Sequence, residues 1–205
     1  IVIAQIETVA SDLVPAAVKT GMLGTAAIVE AVAATIEELD LPNLVVDPVM
    51  IAKGGSRLLD DDALRAMTVE LIPRAEVVTP NVPEAEVLAG RTIRTFEDMR
   101  GAAQRIRALG ARVVVIKGGH LAGDEVVDLV VSADGEFAIR GPRIATRHTH
   151  GTGCTFAAAI TAALAGGQPI EQAVRGARTY VEGAIREAPQ LGRGHGPLNH
   201  FRRVY

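Results

Sequence analysis

A three-layer α/β/α fold, with a mainly parallel central sheet and an antiparallel hairpin added late, is predicted by three observations. From Ala16 to Lys117, short apolar runs that suit buried strands alternate with longer stretches at helical spacing. The rhythm then breaks at "VVDLVVSADGEFAIRG", where two strand-like runs flank a tight turn at Asp134-Gly135. Two further helical stretches close the chain, which gives enough helices to cover both faces of a sheet. No repeat, low-complexity segment or linker divides the 205 residues, so one domain is expected over 1–205.

The elements follow in order. "IVIAQIETVASDL" places Ile3, Ile6, Val9, Ala10 and Leu13 at helical spacing, and Glu7 and Asp12 argue against a signal or transit peptide here. The sequence has no initiator Met and opens inside this amphipathic helix, so further chain is expected before it. Residues 16–19 read as a short strand, and 26–39 as a helix with Ile28, Val29, Val32, Ile36 and Leu39 on one face. "NLVVD" at 43–47 is a strand, followed by a helix over 60–72 that Asp60 or Asp61 caps. "AEVVT" at 75–79 is the next strand, and "PEAEVLAG" a short helix from Pro83 to Gly90. Thr95 and Asp98 have the spacing of a capping box for a helix that ends at Gly110. "RVVVIK" at 112–117 has the continuous apolar run of a buried parallel strand. After the hairpin, an Ala-rich helix runs from the "HGTGC" turn to about 164, and a last helix spans roughly 169–187.

Composition narrows the function classes. Hydrophobic residues are 48% and charged residues 22%, a globular balance. A net charge of −3 gives no global field for nucleic acid or an acidic membrane, and no apolar run is long enough to span a bilayer. The single cysteine allows no internal disulfide, which points to a reducing cytoplasm.

Polar residues interrupt the strands at one kind of place. Lys19-Thr20 ends the first strand, Asp47 the second and Lys117 the fourth, while Asn81 follows the third. In an open α/β sheet the carboxyl ends of the strands are where ligands bind. The glycine turn at 151–153 also opens onto a helix, so it belongs to the same edge. A helix start there aims unpaired N–H groups and a partial positive charge at that edge, which suits an anion such as phosphate. "GTG" alone serves a plain turn equally well, and Cys154 beside it reads as a nucleophile or as a packed thiol. No Gly-Lys-Ser/Thr follows, so this is not a Walker A loop.

Asp47 in "DPVM" and Glu84 in "NVPE" are a carboxylate pair of the kind that holds Mg²⁺ near phosphates. Each also has an ordinary explanation, as a turn former before Pro48 and as an acid favoured in the first turn of a helix. Lys117 ends a strand expected to be central, where a cation is costly without an anionic partner, so a ligand role is favoured. Gly118-Gly119 leaves space for a ligand against the backbone. The histidines have no zinc spacing; His150 shapes the turn or touches substrate, and the others read as loop residues.

At "KTGML", "DPVM", "TPNVPEAEVL", "IKGGH", "THGTGCT" and the closing "LGRGHGPLNH" the chain resembles the hydroxymethylpyrimidine/phosphomethylpyrimidine kinases of thiamine biosynthesis, a branch of the ribokinase-like superfamily. The resemblance implies ATP-dependent phosphorylation of 4-amino-5-hydroxymethyl-2-methylpyrimidine and then of its monophosphate. It implies ATP and Mg²⁺, with a monovalent cation possible, a small-molecule pyrimidine as partner and a homodimer. Carried onto this sequence, Gly151, Thr152, Gly153 and Cys154 form an anion hole, with Cys154 as catalytic base. A thiol at a helix start is expected to have a lowered pKa. Asn81 and Glu84 organise Mg²⁺ and phosphate with Asp47 nearby; Lys117, Gly119 and His150 fall on the nucleotide side, and Met22 and Val49 line the pyrimidine pocket. Family members open with a strand, a glycine-rich segment containing an aspartate and a later glutamine, and Ile1 aligns beyond all three. The resemblance therefore implies that part of the sheet and of the substrate pocket lies outside this sequence. Three other functions remain: a pyridoxine or pyridoxal kinase, a hydrolase using Cys154 with His150 as base, and a nucleotide-binding module without transfer activity.

Overall fold

The computed structural model describes residues 1–50 and 58–202. Its elements run α1 (Val2–Asp12), β1 (Val18–Thr20), α2 (Ala26–Glu38), β2 (Leu44–Val46), α3 (Asp61–Ala66), β3 (Val77–Val78), α4 (Val82–Ala89), α5 (Phe96–Arg107), β4 (Val113–Ile116), β5 (Glu125–Val131), β6 (Glu136–Pro142), α6 (Thr152–Ala165) and α7 (Ile170–Arg186). The six strands form one sheet in chain order, with β1 to β4 parallel and β5 and β6 antiparallel. Strand alternation sorts the core into two layers. Leu44, Val46, Val78 and Val114 face the side covered by α2 to α5, whereas Val45, Val77, Val113 and Val115 face α6 and α7.

Most predicted elements lie within two residues of their observed bounds, and the differences have local causes. Asp60, not Asp61, caps α3, its Oδ1 accepting the Ala63 N–H at 2.7 Å. The helix predicted over 60–72 is regular only to Ala66; a π-helical stretch (Met67–Leu71) and a 3-10 turn (Ile72–Arg74) follow. Pro73 lacks an N–H and crowds the preceding turn, so the ladder is re-spaced before it. A 3-10 turn over Gly118–His120, which the hydrophobic pattern does not announce, carries the chain out of β4. The α6 helix is not buried all round, as its run of apolar residues implied: Phe156, Ala157, Ile160 and Leu164 face the sheet, and Ala158 and Ala162 are exposed. Alanine's small side chain makes an outward face of this kind inexpensive. Helix α1 forms as expected but buries none of its side chains fully. Among the described residues no helix is long and apolar enough to cross a membrane.

Candidate active site

Parallel pairing aligns the carboxyl ends of β1 to β4, and the next residues collect the polar groups there. The Asp47 N–H donates to the Thr20 carbonyl at 3.2 Å, Thr79 N–H to Val46 at 2.9 Å, and Lys117 N–H to Pro80 at 2.9 Å. These bonds prolong the sheet by about one residue and hold each polar side chain against its neighbour. Asp47 is 2% exposed, and its Oδ1 accepts from Lys117 Nζ at 3.1 Å and from Thr79 Oγ1 at 3.4 Å. Asp47 Oδ2 is buried without a hydrogen-bond partner, as is Thr20 Oγ1. A buried acceptor with no partner costs stability unless a ligand satisfies it.

Lys117 runs beneath the start of α6. A Cβ placed on Gly153 would lie 3.1 Å from its ammonium, so the glycine lets the lysine approach the turn closely. Gly151 begins the turn at φ 81°, in the left-handed region that glycine enters readily, and the helix has no side-chain cap. Its first N–H groups, on Thr152, Gly153 and Cys154, are therefore open to an anion beside Lys117 and Asp47. Thr152 Oγ1 donates back to the Thr149 carbonyl at 3.2 Å and tightens the turn.

The chain's cysteine corrects an expectation. Its side chain is exposed, yet its pKa is raised rather than lowered. Partial desolvation is the largest cause and the Asp47 carboxylate the next; Lys19 and then Lys117 act in the opposite direction. Burial of the thiol, and after it the negative charge beside it, outweigh the helix start that was expected to acidify it.

Asn81 and Glu84 have local duties first. Asn81 Oδ1 accepts the Glu84 N–H at 3.0 Å, and Glu84 Oε2 accepts the Asn81 N–H at 2.8 Å, a complete capping box for α4. Glu84 is 4% exposed; burial pushes its carboxyl up, against the attraction of Lys117 and backbone bonds from Asn81 and Met50. Asp47 adds to the upward push, so the two carboxylates feel each other across one small site. Among the described residues no three metal-ligating side chains cluster. Two carboxylates are still what Mg²⁺ needs when phosphates and water supply its other ligands, and the unpartnered Asp47 Oδ2 is a fitting donor.

The remaining predicted residues lie in the segments that follow β1, β2 and β4 and in the turn before α6. Met22 is 55% exposed in the turn after β1, and Val49 is half-buried two residues past Asp47. Gly119 is exposed in the turn after β4. His150 is exposed, and its N–H donates to Gly196 at 3.2 Å. His148 lies in a loop, as its spacing implied, but is buried there: it is 6% exposed and packed against Gly196, where any side chain would collide with the ring. Sequence reasoning missed Thr79, which is small and apolar in context. It also missed Asp128, whose signal was present: an acid inside "VVDLVV" must be buried and paired. Asp128 takes Arg178 at 3.0 Å on Oδ2 and the Gly118 N–H at 2.9 Å on Oδ1.

A family model described as phosphomethylpyrimidine kinase matches residues 1–199. The chain belongs to the phosphomethylpyrimidine kinase family. The hydroxymethylpyrimidine/phosphomethylpyrimidine kinase of Bacillus subtilis (strain 168) is 49% identical over 198 residues, covering 96% of this chain and 73% of that protein. The thiamine biosynthesis bifunctional protein ThiED of Geobacter sulfurreducens is 48% identical over 197 residues, which is 96% of this chain and 40% of its own. Among solved structures, an ADP complex of Bacillus subtilis pyridoxal kinase has a TM-score of 0.90 at 41% identity, over 96% of this chain and 74% of that one. The pyridoxal kinase from Staphylococcus aureus in complex with AMP-PCP and pyridoxal has a TM-score of 0.89 at 37% identity, over 98% and 73%. The fold of this family member is thus the ribokinase-like one that its motifs implied.

Proposed function

We propose that the protein transfers the γ-phosphoryl group of ATP to 4-amino-5-hydroxymethyl-2-methylpyrimidine and then to the resulting monophosphate, in thiamine biosynthesis. The observation that carries this reading is the meeting of Asp47, Lys117 and the uncapped start of α6 at one sheet edge, in a chain of the phosphomethylpyrimidine kinase family. Phosphoryl transfer asks for positioning and charge neutralisation more than covalent chemistry. The N–H groups of Gly151, Thr152, Gly153 and Cys154 would receive the transferred group, and Lys117 would offset charge on the phosphates. Asn81, Gly119 and His150 belong to the nucleotide side of the proposal, Met22 and Val49 to the acceptor side. Asp47 and Glu84 would hold Mg²⁺, which neutralises phosphate charge when bound. Cys154, in the ionised fraction that its raised pKa leaves, would take the hydroxyl proton in the first transfer. A single domain over residues 1–205, a homodimer and a cytoplasmic location complete the proposal; light scattering tests the assembly.

The test is direct. Purified protein with Mg·ATP and the hydroxymethylpyrimidine should yield the monophosphate and then the diphosphate, followed by mass spectrometry; no product from either acceptor sinks the proposal. The structural likeness to two pyridoxal kinases favours one second reading, phosphorylation of pyridoxal. Equal concentrations of both alcohols under limiting ATP separate the two, and a dominant pyridoxal phosphate peak would decide for the second.

A further inference from the structure

Two lysine ammonium groups act on Cys154, and only one of them is engaged. Lys117 is paired with Asp47 at 3.1 Å. Lys19, among the described residues, has neither an ion pair nor a hydrogen bond from its ammonium. It lies in β1 in register with Val45, whose side chain belongs to the cluster beneath α6, so it stands on the face where Cys154 and Asp47 meet. Helix α6 packs on both β1 and β2 there. The side chain folds forward along the strand, because a Cβ on Gly21 would lie 3.1 Å from its Nζ. Gly21 leads directly into Met22, the residue proposed to line the acceptor pocket. Lys19 therefore sits between the acceptor side and the start of α6. Its charge reaches the thiol more strongly than that of Lys117.

The two proposed transfers differ in what the acceptor brings to this spot. In the first, the acceptor is a neutral alcohol: its oxygen bonds to the γ-phosphorus, the bond from that phosphorus to the bridging oxygen of ADP breaks, and the hydroxyl proton is released. In the second, the acceptor is a phosphate monoester with a charge of about −1.5 to −2 at neutral pH. Its oxygen is already ionised, so the same bonds form and break with no proton to remove. That anion must approach a site already holding Asp47 and Glu84, both almost fully buried. Uncompensated negative charge would oppose it. Resting on the kinase reading above, we propose that Lys19 is the residue that receives the acceptor's phosphate and so permits the second phosphorylation.

The test compares Lys19→Met with the wild type on each acceptor separately, and measures binding of the pyrimidine monophosphate by calorimetry without ATP. Turnover of the alcohol should fall only a few-fold. For the monophosphate, kcat/KM and affinity should both fall about 30- to 100-fold, the usual loss when a charged hydrogen bond is removed. Lys19→Arg should restore most of both. Equal losses on the two acceptors, or an unchanged affinity for the monophosphate, would overturn the assignment. A wild type that phosphorylates the alcohol but never the monophosphate overturns the role of Lys19 alone. A wild type inert toward both removes the kinase reading with it.

Discussion

Asp47 and Asp128 invite comparison. Both are about 2% exposed, and each is paired with a cation at close to 3 Å, Lys117 for the first and Arg178 for the second. Their partners converge on consecutive residues, since Asp128 also holds the Gly118 N–H. The difference lies in the oxygens. Asp128 uses both, one on Gly118 and one on Arg178, although burial still pushes its carboxyl up. Asp47 crowds both of its contacts onto Oδ1 and leaves Oδ2 buried and bare. A carboxylate with both oxygens used can serve the fold, even though the Nε of its partner Arg178 is buried without a hydrogen bond; one with a bare oxygen serves the fold badly unless something else completes it. The two acids are thus told apart by which of their own oxygens remain unused.

The comparison breaks most sharply on turnover. Lys117→Met should reduce kcat on the hydroxymethylpyrimidine by about 10²- to 10³-fold, the scale of losing one preorganised charge. Cys154→Ala should cost about 10²- to 10⁴-fold in the first transfer, if a positioned base is lost, while calorimetry still detects ATP. Near-normal turnover in either variant would place these residues with the structural pair instead.

Stability should respond in the opposite pattern. Arg178→Met leaves Asp128 buried beside Gly118 with no directly paired cation, and removing one partner of a buried pair costs about 3–5 kcal/mol. Melting followed by circular dichroism should drop by about 10 °C for a chain of this size. Turnover measured well below the melting range should change less than three-fold. A large loss of kcat with unchanged melting would mean that the hairpin pair belongs to the chemistry.

Much of this was legible in the sequence, for physical reasons that differ by region. Alternating apolar runs fix strands and helices wherever one face is buried, so β1 to β6 and their helices were readable. The carboxyl-edge rule then brought Lys19, Asp47, Asn81 and Lys117 together before any coordinates. Strand order was not readable, because parallel neighbours are chosen by long-range packing. The direction of the Cys154 shift differs from the expectation because the helix start is a local feature, whereas the burial that dominates the shift comes from tertiary packing and the Asp47 charge from a residue 107 positions away in the chain. Asp128 was overlooked in a strand where its very incongruity was the signal. The capping roles of Asn81 and Glu84, by contrast, follow from a spacing visible in "NVPE".

A smaller effect should sharpen the account of the open pair. In the folded chain partial burial, and next to it the Asp47 charge, disfavour the thiolate, so Cys154 keeps its proton to higher pH than an ordinary thiol. Asp47→Asn removes that charge and also frees Lys117, and both changes favour the thiolate. The thiol pKa should therefore fall, and iodoacetamide should label the variant several-fold faster near pH 7.5, with the two rates converging above the wild-type pKa. Because the chain has one cysteine, intact mass reports this rate without interference. Slower labelling in the variant would show that Asp47 holds the thiol open instead of holding its proton.

The smallest effect asks where the boundary between the two regions falls. Just past Asp128's partner Gly118, the turn is gripped from β6's end by Arg143, whose guanidinium donates to the carbonyls of Gly119, Leu121 and Gly123 at 2.8, 2.5 and 2.7 Å. Gly118 itself admits no side chain, since a Cβ would meet the Val127 carbonyl at 1.9 Å. The hairpin therefore sets the path of the segment that carries Gly119 on the proposed nucleotide side. Arg143 is exposed, so each bond is modest, and its loss loosens the turn without unfolding the sheet. Arg143→Ala should raise the KM for ATP about 3- to 10-fold, equivalent to roughly 1 kcal/mol, with kcat and the KM for the pyrimidine nearly unchanged. That selective loss would show the hairpin acting on the site through position alone. An equal fall in kcat would instead mean that the turn touches the reacting groups, and the line drawn between Asp47 and Asp128 would have to move to the far side of β5.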